Sequence, residues 1–255
     1  ASHTLFLWNG IPMNPAAAAQ SDLLLIPTSS FNNMSISYGG NSTVFGSGSV
    51  GGSIHLNNHP IYQKDRQLSL NLERGSFGKS SASVSVLQSD KFVFFTFNFS
   101  KIIDTNRFPY TYNNQKKFNE HALIEGENIS STLALVLDRK SDIELHYWSS
   151  DFWREMSENR TISNSTAEQT DKSKRFLFSV DRKYNNLKLK LKEALLYDNL
   201  YYDDDPINIH SYSEVETYIS EFNVNYNAYN FYTDISLIHT ENNLNNSSYV
   251  GLFKK

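Results

Sequence analysis

The feature that most constrains the fold is a cluster of glycines in the segment 36–56, whose sequence is Ile-Ser-Tyr-Gly-Gly-Asn-Ser-Thr-Val-Phe-Gly-Ser-Gly-Ser-Val-Gly-Gly-Ser-Ile-His-Leu. Six of the eleven glycines of the chain lie here: Gly39, Gly40, Gly46, Gly48, Gly51 and Gly52. Glycine tolerates positive φ and close backbone approach at an entropic cost, so a cluster this dense indicates specific backbone geometry. Short apolar runs precede the cluster and period-two alternation follows it. We therefore interpret it as a hinge between two kinds of structure.

Composition excludes several classes of function. The 255 residues include no cysteine, which removes disulfides, thiolate metal sites and cysteine nucleophiles. The net charge of −4 argues against a nucleic-acid partner, and no apolar run approaches the length of a membrane-spanning helix. The chain carries no signal peptide and begins directly before a strand, so we expect a mature product or a piece of a longer chain.

The first 58 residues predict part of a small α/β domain. Thr4–Trp8 is a continuous apolar run that indicates a buried strand, and the turn dipeptide Asn9-Gly10 follows it. The segment Ser21–Ile26 predicts a short capped helix that ends before a proline. Met34–Tyr38 alternates like a strand. The run Ala16–Ala19 is given no weight.

From residue 66 onward, apolar residues alternate with polar ones at the period of two that is typical of strands. The main alternating sets are Leu68, Leu70, Leu72; Ala82, Val84, Val86; Val93, Phe95, Phe97, Phe99; Leu133, Leu135, Leu137; Ile143, Leu145, Tyr147; Phe176, Phe178, Val180; Leu187, Leu189, Leu191; Tyr218, Phe222, Val224, Tyr226; and Phe231, Thr233, Ile235, Leu237. The sequence therefore predicts a mainly β structure after residue 58.

Short and long connections alternate along these strands. Those near residues 89, 140, 185 and 228 are short, whereas the polar stretches 103–117, 154–172 and 202–211 are long. Short periplasmic turns, longer external loops and interfacial aromatics are typical of an outer-membrane barrel. Trp148, Phe152 and Trp153 fit such an interface, and Lys188, Lys190 and Lys192 are expected to face a wet lumen. A soluble β-sandwich with one solvated face predicts the same alternation and stays open as an alternative.

The front of the chain resembles the plug domain of TonB-dependent outer-membrane receptors, a family that includes vitamin B12 and siderophore receptors. The residues that carry the resemblance are Leu5–Asn14, Leu25–Pro27 and Ile36–Leu56, with Ser53–Leu56 matching the closing strand of the plug. Gly39 stands where the family often has arginine, and Asn41 stands near its usual proline. Residues 106–110, Asn-Arg-Phe-Pro-Tyr, resemble a loop of vitamin B12-receptor-like members.

The resemblance implies a fold and a division of the chain. Residues 1–58 would form the C-terminal part of the plug, and residues 59–255 the N-terminal part of a transmembrane antiparallel β-barrel. Barrels of this family have about 22 strands and are closed by the plug, and 197 residues give room for about nine or ten of them. Open sheet edges are not tolerated in lipid, so we expect this chain to be an internal piece of a longer barrel.

The resemblance also implies a function and site residues. It implies TonB-dependent import of a scarce nutrient, a vitamin B12-like cofactor or an iron chelate, across the bacterial outer membrane. Trp8, Asn9, Met13 and Asn14 would lie in a plug loop that faces the external cavity and would contact substrate. For Trp8, a packed core position is an equal alternative. The glycines of the 36–56 segment would anchor the plug against the barrel.

The implied partners are the TonB–ExbB–ExbD complex, reached through a segment absent from this chain, a small nutrient or metal chelate, outer-membrane lipid and a surface lipoprotein lid. A non-energised β-barrel or surface sheet used for adhesion or binding is the alternative function. No cofactor is expected, apart from calcium in an external loop, where Asp203, Asp204 and Asp205 offer hard oxygen ligands. An acidic, solvated loop explains the same residues and is favoured.

Motifs of catalysis are not supported. Gly46–Gly51 matches the dinucleotide pattern G-x-G-x-x-G, but an alternating strand follows where a helix would have to bind the pyrophosphate. The seven histidines lack zinc-like spacing. The sequence therefore predicts a protein that is not an enzyme.

Overall fold

The computed structural model describes residues 4–13, 26–27, 30–39, 49–157 and 166–247. These residues form two sheets and one separate hairpin. No helix in this part of the chain is long and apolar enough to cross a membrane. The predicted helix over Ser21–Ile26 lies almost entirely outside the described residues.

The first sheet, called the small sheet, has four strands: β1 (Thr4–Trp8), β2 (Ile11–Pro12), β3 (Asn33–Tyr38) and β4 (Gly52–Asn57). Their order is β2-β1-β4-β3, with β1 parallel to β4 and the other pairs antiparallel. Residues Leu5–Trp8 are all buried, because the side chains on both faces of β1 are covered. The buried strand predicted at Thr4–Trp8 is confirmed.

The second sheet, called the large sheet, has nine strands in the order β15-β14-β13-β12-β11-β10-β7-β6-β5. All neighbouring pairs are antiparallel. The strands are β5 (Asp65–Arg74), β6 (Ser80–Ser89), β7 (Val93–Asp104), β10 (Ile124–Asp138), β11 (Ser141–Glu155), β12 (Glu168–Tyr184), β13 (Leu187–Asp204), β14 (Ile209–Ala228) and β15 (Phe231–Asn246). The separate hairpin pairs β8 (Pro109–Tyr112) with β9 (Gln115–Phe118).

The two faces of the large sheet differ in chemistry. The outer face carries the alternating apolar residues found in the sequence, and many of these side chains are exposed, including Leu68 and Leu70. The inner face carries small and polar residues that are buried, such as Ser130 and Ser179. An apolar face turned outward and a polar face turned inward is the pattern of a membrane barrel, and it is the inverse of a soluble β-sandwich.

The three alternating lysines of β13 lie on the inner face, as expected. The Nζ atoms of Lys188 and Lys190 lie 3.2 and 3.0 Å from carboxylate oxygens of Asp181 on the adjacent strand. Lys192 pairs with Glu221 on the other side, at 3.2 Å. Each ammonium group therefore has a carboxylate partner in the interior.

The short connections lie where the sequence predicts them. The long loop predicted at 202–211 is instead a short turn. Strand β13 continues to Asp204 and β14 begins at Ile209, so the connection there is a four-residue turn and not the predicted loop 202–211. The polar residues of this stretch extend the hairpin because Tyr202 and Asp203 pair with Ser211 and His210. These residues form strand ends that have no apolar face, so hydrophobic periodicity does not detect them.

Candidate functional site between the two sheets

The small sheet packs against the inner face of the large sheet through one apolar cluster. Its members from the small sheet and the adjoining turn are Phe6, Trp8, Ile11, Met13 and Leu56, and its members from the large sheet are Trp148, Leu177, Ala194, Leu196 and Ile219. Burying one large apolar side chain is worth about 1.5–3 kcal/mol. The cluster is thus strong enough to hold the small sheet in a fixed position. The small sheet covers the inner face of the large sheet where the cluster lies.

Trp8 is the centre of this interface. It is 1% exposed, and its ring meets the rings of Trp148 and His146 edge to face, at centroid distances of 6.1 and 6.2 Å. Phe31 meets Trp148 in the same way at 5.3 Å. Such geometries place a ring edge over the negative face of its partner, so they fix orientation as well as adding apolar contact.

A buried arginine supports the Trp148 ring from the barrel side. The Cζ atom of Arg175 lies 4.6 Å from the ring centroid of Trp148. Its guanidinium donates hydrogen bonds to Asp198 at 2.6 Å and to the Ser173 hydroxyl at 2.8 Å. The side chain of Asp198 is itself largely buried, so this ion pair is screened little by solvent. Arg175 therefore holds Trp148 in place for contact with Trp8.

A second ion pair touches the turn of the small sheet. Lys192 and Glu221 pair at 3.2 Å, and a Cβ atom added at Gly10 would lie 2.6 Å from the Lys192 Nζ atom. Gly10 has φ of +87°, a conformation that glycine adopts readily in the Asn9-Gly10 turn. The ammonium group therefore lies directly against the backbone of this turn.

His146 joins the same interface through a polar chain. Its Nδ1 atom lies 3.0 Å from the Thr132 hydroxyl, and its Nε2 atom lies 2.8 Å from a carboxylate oxygen of Glu144. The imidazole is almost fully buried beneath the Trp8 ring. The polar groups beneath Trp8 are thus hydrogen-bonded, as buried polar groups usually are.

The chain passes from the small sheet to the large sheet through residues 58–64. The Ser89 hydroxyl donates a hydrogen bond to the Ile61 carbonyl, which fixes this connection to β6. The pKa of Tyr62 is raised to about 12, mainly by burial and to a smaller extent by the negative charges of Asp142, Glu144 and Asp181. The carboxylate oxygens of these three acidic residues come within 4.8 Å of one another. Lys188 and Lys190 lie against Asp181 and supply the opposing positive charge.

The described glycines of the 36–56 segment lie in β4 or directly beside a strand of the small sheet. Gly39 follows β3 and Gly52 begins β4, and these two strands pair with each other. Gly52 has φ of +139°, and a Cβ atom there would lie 2.5 Å from the Ser37 carbonyl oxygen, so only glycine fits. Gly51 is exposed, and Gly40, Gly46 and Gly48 lie outside the described residues. The crossing between the sheets is therefore at 58–64, after the glycine segment. An anchoring role for these glycines stays a prediction.

The predicted substrate residues have different environments. Trp8 and Met13 are buried in the apolar cluster, at 1% and 3% exposure, so both pack against the large sheet in this structure. Asn9 accepts a hydrogen bond from the Asn58 amide at 2.8 Å and so connects the turn to the start of the crossing. Asn14 lies outside the described residues. Substrate contact by these four residues stays a prediction, and the packed alternative for Trp8 describes its position here.

The three predicted calcium ligands do not converge. Asp204 is buried and accepts a hydrogen bond from the Thr166 amide at 3.2 Å. Asp203 and Asp205 instead lie 2.9 and 3.8 Å from the imidazole of His210. Successive strand residues point to opposite faces, which separates Asp204 from Asp203. The three carboxylates therefore have different partners in this structure, and calcium binding in the external loops stays a prediction.

The aromatic residues predicted at the membrane interface divide between the two faces. Trp148 and Phe152 are buried on the inner face and do not reach lipid, which corrects the sequence-based interpretation. Arg175, Asp198, Glu221 and His146 were missed by the sequence analysis altogether. The sequence signal that could have found this site is an arginine, Arg175, and an aspartate, Asp198, at inward positions of strands that are otherwise lined by small residues.

The two sheets together define a class of protein, an antiparallel barrel wall with a small domain packed on its inner face. Residues 1–53 match the family model of the TonB-dependent receptor plug domain. A comparison with curated proteins finds no match. The resemblance to TonB-dependent receptors is confirmed by this match and by the solved structures that share the fold, and the chain comprises plug sequence followed by the start of a barrel.

Three solved structures illustrate this likeness. The copper transporter OprC superposes with a TM-score of 0.78 at 14% identity, covering 100% of this chain and 40% of OprC. The siderophore receptor PiuA from Acinetobacter baumannii gives 0.73 at 10% identity, with 96% and 39% covered. The FrpB iron transporter from Neisseria meningitidis gives 0.74 at 13% identity, with 95% and 42% covered. This chain therefore spans about two fifths of the length of these structures.

Proposed function

We propose that this chain is part of a receptor that imports a scarce nutrient across the bacterial outer membrane, energised by the TonB–ExbB–ExbD complex. The observation that carries the proposal is the packing of the plug on the inner wall of the barrel at Trp8 and Trp148. A barrel of about 22 strands, as the resemblance implies, is not filled by its own side chains, so a plug would have to close it. A seal of this kind is needed by a transporter and has no purpose in an adhesion sheet.

The interface suggests how opening proceeds. The TonB partner would pull on the plug from the periplasm, and the contacts of Trp8, Phe6 and Met13 with the wall would break. The polar inner face that remains, lined by small hydroxyl residues, would then offer hydrogen bonds to a hydrated substrate. The crossing at 58–64, which the Ser89 hydroxyl connects to β6, would hold the end of the plug to the barrel while the rest moves.

The cargo is proposed to be a metal chelate or a vitamin B12-like cofactor. The related structures are described as a copper transporter, a siderophore receptor and an iron transporter, which favours a metal or its chelate. The apolar outer belt, with Leu68, Leu70 and Leu72 on β5, would contact outer-membrane lipid. A surface lipoprotein that closes over the external loops is a further proposed partner.

The test is uptake by cells that express the full-length receptor. Radiolabelled ferric chelates, a copper complex and cyanocobalamin are supplied in turn, in cells with and without TonB. We expect accumulation of one cargo that disappears without TonB, while surface binding of that cargo persists. Binding without any energised accumulation would contradict import and would support the alternative of a non-energised binding or adhesion protein.

A further inference from the structure

The starts of β10 and β12 and the end of β11 meet at one point, which we call the loop joint. The Glu155 amide donates a hydrogen bond to the Leu123 carbonyl, and the Met156 amide donates one to the Ala167 carbonyl, both at 2.8 Å. His121 completes this set. The loop joint lies on the side of the long loops, which is the external side of a membrane barrel. It connects the bases of two long connections, the one that contains the β8–β9 hairpin and the one between β11 and β12.

The imidazole of His121 contacts an oxygen atom through each of its ring nitrogens. Its Nε2 atom lies 3.1 Å from the Ala167 carbonyl oxygen, and its Nδ1 atom lies 3.4 Å from a carboxylate oxygen of Glu155. The other carboxylate oxygen of Glu155 accepts a hydrogen bond from the Leu123 amide at 2.9 Å. The side chains of His121 and Glu155 are 23% and 24% exposed, so solvent screens their contact only in part. The imidazole thus links three neighbouring elements.

Only the protonated imidazole satisfies both contacts. A carbonyl oxygen and an ionised carboxylate accept hydrogen bonds and cannot donate them, and a neutral imidazole carries a single N–H group. In either neutral tautomer, one ring nitrogen of His121 therefore turns a lone pair toward an oxygen atom. The imidazolium ion carries two N–H groups and donates to both oxygens. The loop joint is therefore complete only when His121 carries two protons.

The surroundings of Glu155 favour a cation at this point. Glu155 and Glu168 lie directly opposite each other on β11 and β12, and like charges in such positions repel. Glu168 accepts a hydrogen bond from the Trp153 indole at 3.1 Å, which leaves its negative charge in place. The other charged groups that adjoin the loop joint have partners of their own: Glu120 with Arg107, Asp104 with the Asn106 amide, Arg154 with Asp171, and Asp204 with the Thr166 amide. Among the described residues, His121 is the group that can place positive charge against Glu155.

We propose that His121 makes the loop joint a pH-sensitive connection between the two long external connections. At acidic pH the imidazolium ion holds the end of the hairpin connection to β11 and β12. When His121 loses its proton, one of its two contacts is lost, and Glu155 and Glu168 face each other without a cation between them. Strand β9 ends at Phe118, three residues before His121, so opening the joint loosens one side of the hairpin base. The inference concerns these connections alone and stands whether or not the protein imports a nutrient.

The test measures amide hydrogen exchange by mass spectrometry on the purified full-length protein in detergent. Exchange is followed at about pH 5.5 and about pH 8, near the two ends of the range in which histidine changes charge, and is scaled to the intrinsic exchange rate at each pH. The amides of Leu123, Glu155 and Met156 report on the loop joint, because their hydrogen bonds lie within it. The Lys183 amide, which bonds to the Lys140 carbonyl beside the short turns, is the internal reference.

The variants separate the charge of the imidazole from its packing. His121→Gln removes the titrating ring. Glu155→Gln replaces the carboxylate with an amide, whose oxygen still accepts the Leu123 amide while its NH₂ group donates to the bare Nδ1 atom of a neutral His121. His59→Gln removes an exposed histidine from the crossing at 58–64 and is the matched control.

In the wild type, we expect the amides of the loop joint to exchange about tenfold faster at the higher pH after scaling, because a hydrogen bond to a charged group is lost. His121→Gln should show the same scaled rate at both pH values. Glu155→Gln should stay protected at the higher pH, since the neutral imidazole then satisfies both contacts. His59→Gln should behave as the wild type does, and the Lys183 amide should show no pH dependence in any variant.

Three results would overturn the proposal. The first is equal scaled exchange at both pH values in the wild type. The second is a pH response that persists in His121→Gln, which would show that another group titrates. The third is a Glu155→Gln variant that loses protection at the higher pH as the wild type does, which would show that the carboxylate is not the partner that requires the second proton.

Discussion

At the scale of single residues, the Lys192–Glu221 pair gives the clearest prediction. Both side chains are at least 85% buried, and the ammonium group also lies against the Gly10 backbone. Removing one partner leaves the other charge buried and unpaired, which typically costs about 3–5 kcal/mol. Lys192→Met should therefore destabilise the protein strongly, whereas Lys192→Met combined with Glu221→Leu should recover most of the loss.

Denaturant unfolding in detergent micelles, followed by tryptophan fluorescence, measures this coupling. Lys101→Met with Glu127→Leu is the matched control, because that pair has the same chemistry at 2.7 Å but is about half exposed. Its single variants should each change the free energy of unfolding far less than Lys192→Met does, because solvent screens an exposed pair. Equal coupling energies for the two pairs would contradict the argument from burial.

A second residue-scale prediction concerns Gly126, which lies opposite Phe152 on the neighbouring strand. A Cβ atom at residue 126 would lie 2.1 Å from the Phe152 ring, whose side chain is 3% exposed and has no room to move outward. Gly126→Ala should destabilise by about 1–3 kcal/mol, the usual cost of overpacking.

Gly75→Ala is its control, since the added methyl group there meets only the Lys79 side chain, at 3.2 Å, near an external turn. The same unfolding assay compares the two variants. A cost for Gly75→Ala as large as that for Gly126→Ala would show that loss of glycine flexibility, and not contact with Phe152, sets the effect.

At the scale of elements, the crossing at 58–64 is expected to respond to alkaline pH. Tyr62 keeps its proton up to about pH 12 in the folded state, compared with about 10 for a free tyrosine. Its contribution to the free energy of unfolding is therefore fully present below pH 10. That contribution is lost as the pH rises from 10 towards 12, since the unfolded state releases its proton first.

The measurement is the difference in phenolate absorbance between the wild type and Tyr62→Phe, titrated in detergent. We expect the difference signal to develop near pH 12. Tyr229→Phe, which removes a fully exposed phenol from a short turn, serves as the comparison. A difference signal for Tyr62 centred at pH 10 would show that the carboxylates and burial around it have no effect on its proton.

The elements also show what the sequence can and cannot predict. Alternation located the strands because successive residues point to opposite faces, as on β12, where Phe176 is exposed and its neighbours Arg175 and Leu177 are buried. Alternation does not say which face is which, so Trp148 was placed at the membrane interface although it packs against the plug. The hairpin at 109–118 and the upper end of β13 escaped prediction because polar strands have no apolar period. The partners of Trp8 come from β11 and could only be found once the strands were paired in space.

At the scale of the whole molecule, the plug and the barrel wall should act as one seal. Trp8 and Trp148 are both about 1% exposed and face each other across the interface. Replacing a buried tryptophan with alanine costs about 3–5 kcal/mol, partly through the cavity it leaves. Since both cavities lie at the junction of plug and wall, the double variant Trp8→Ala, Trp148→Ala should loosen the seal without removing the outer belt.

We expect cells that express this double variant to become sensitive to a large hydrophilic antibiotic that the outer membrane normally excludes. The sensitivity should be the same with and without TonB, because a leak needs no energised partner. Leu70→Ala with Leu72→Ala removes apolar volume from the outer face, where both side chains are exposed, and should leave the barrier intact. Sensitivity that appears only with TonB would mean that the interface governs opening and not closure. Unchanged resistance, at receptor levels equal to wild type, would mean that Trp8 and Trp148 do not form the seal.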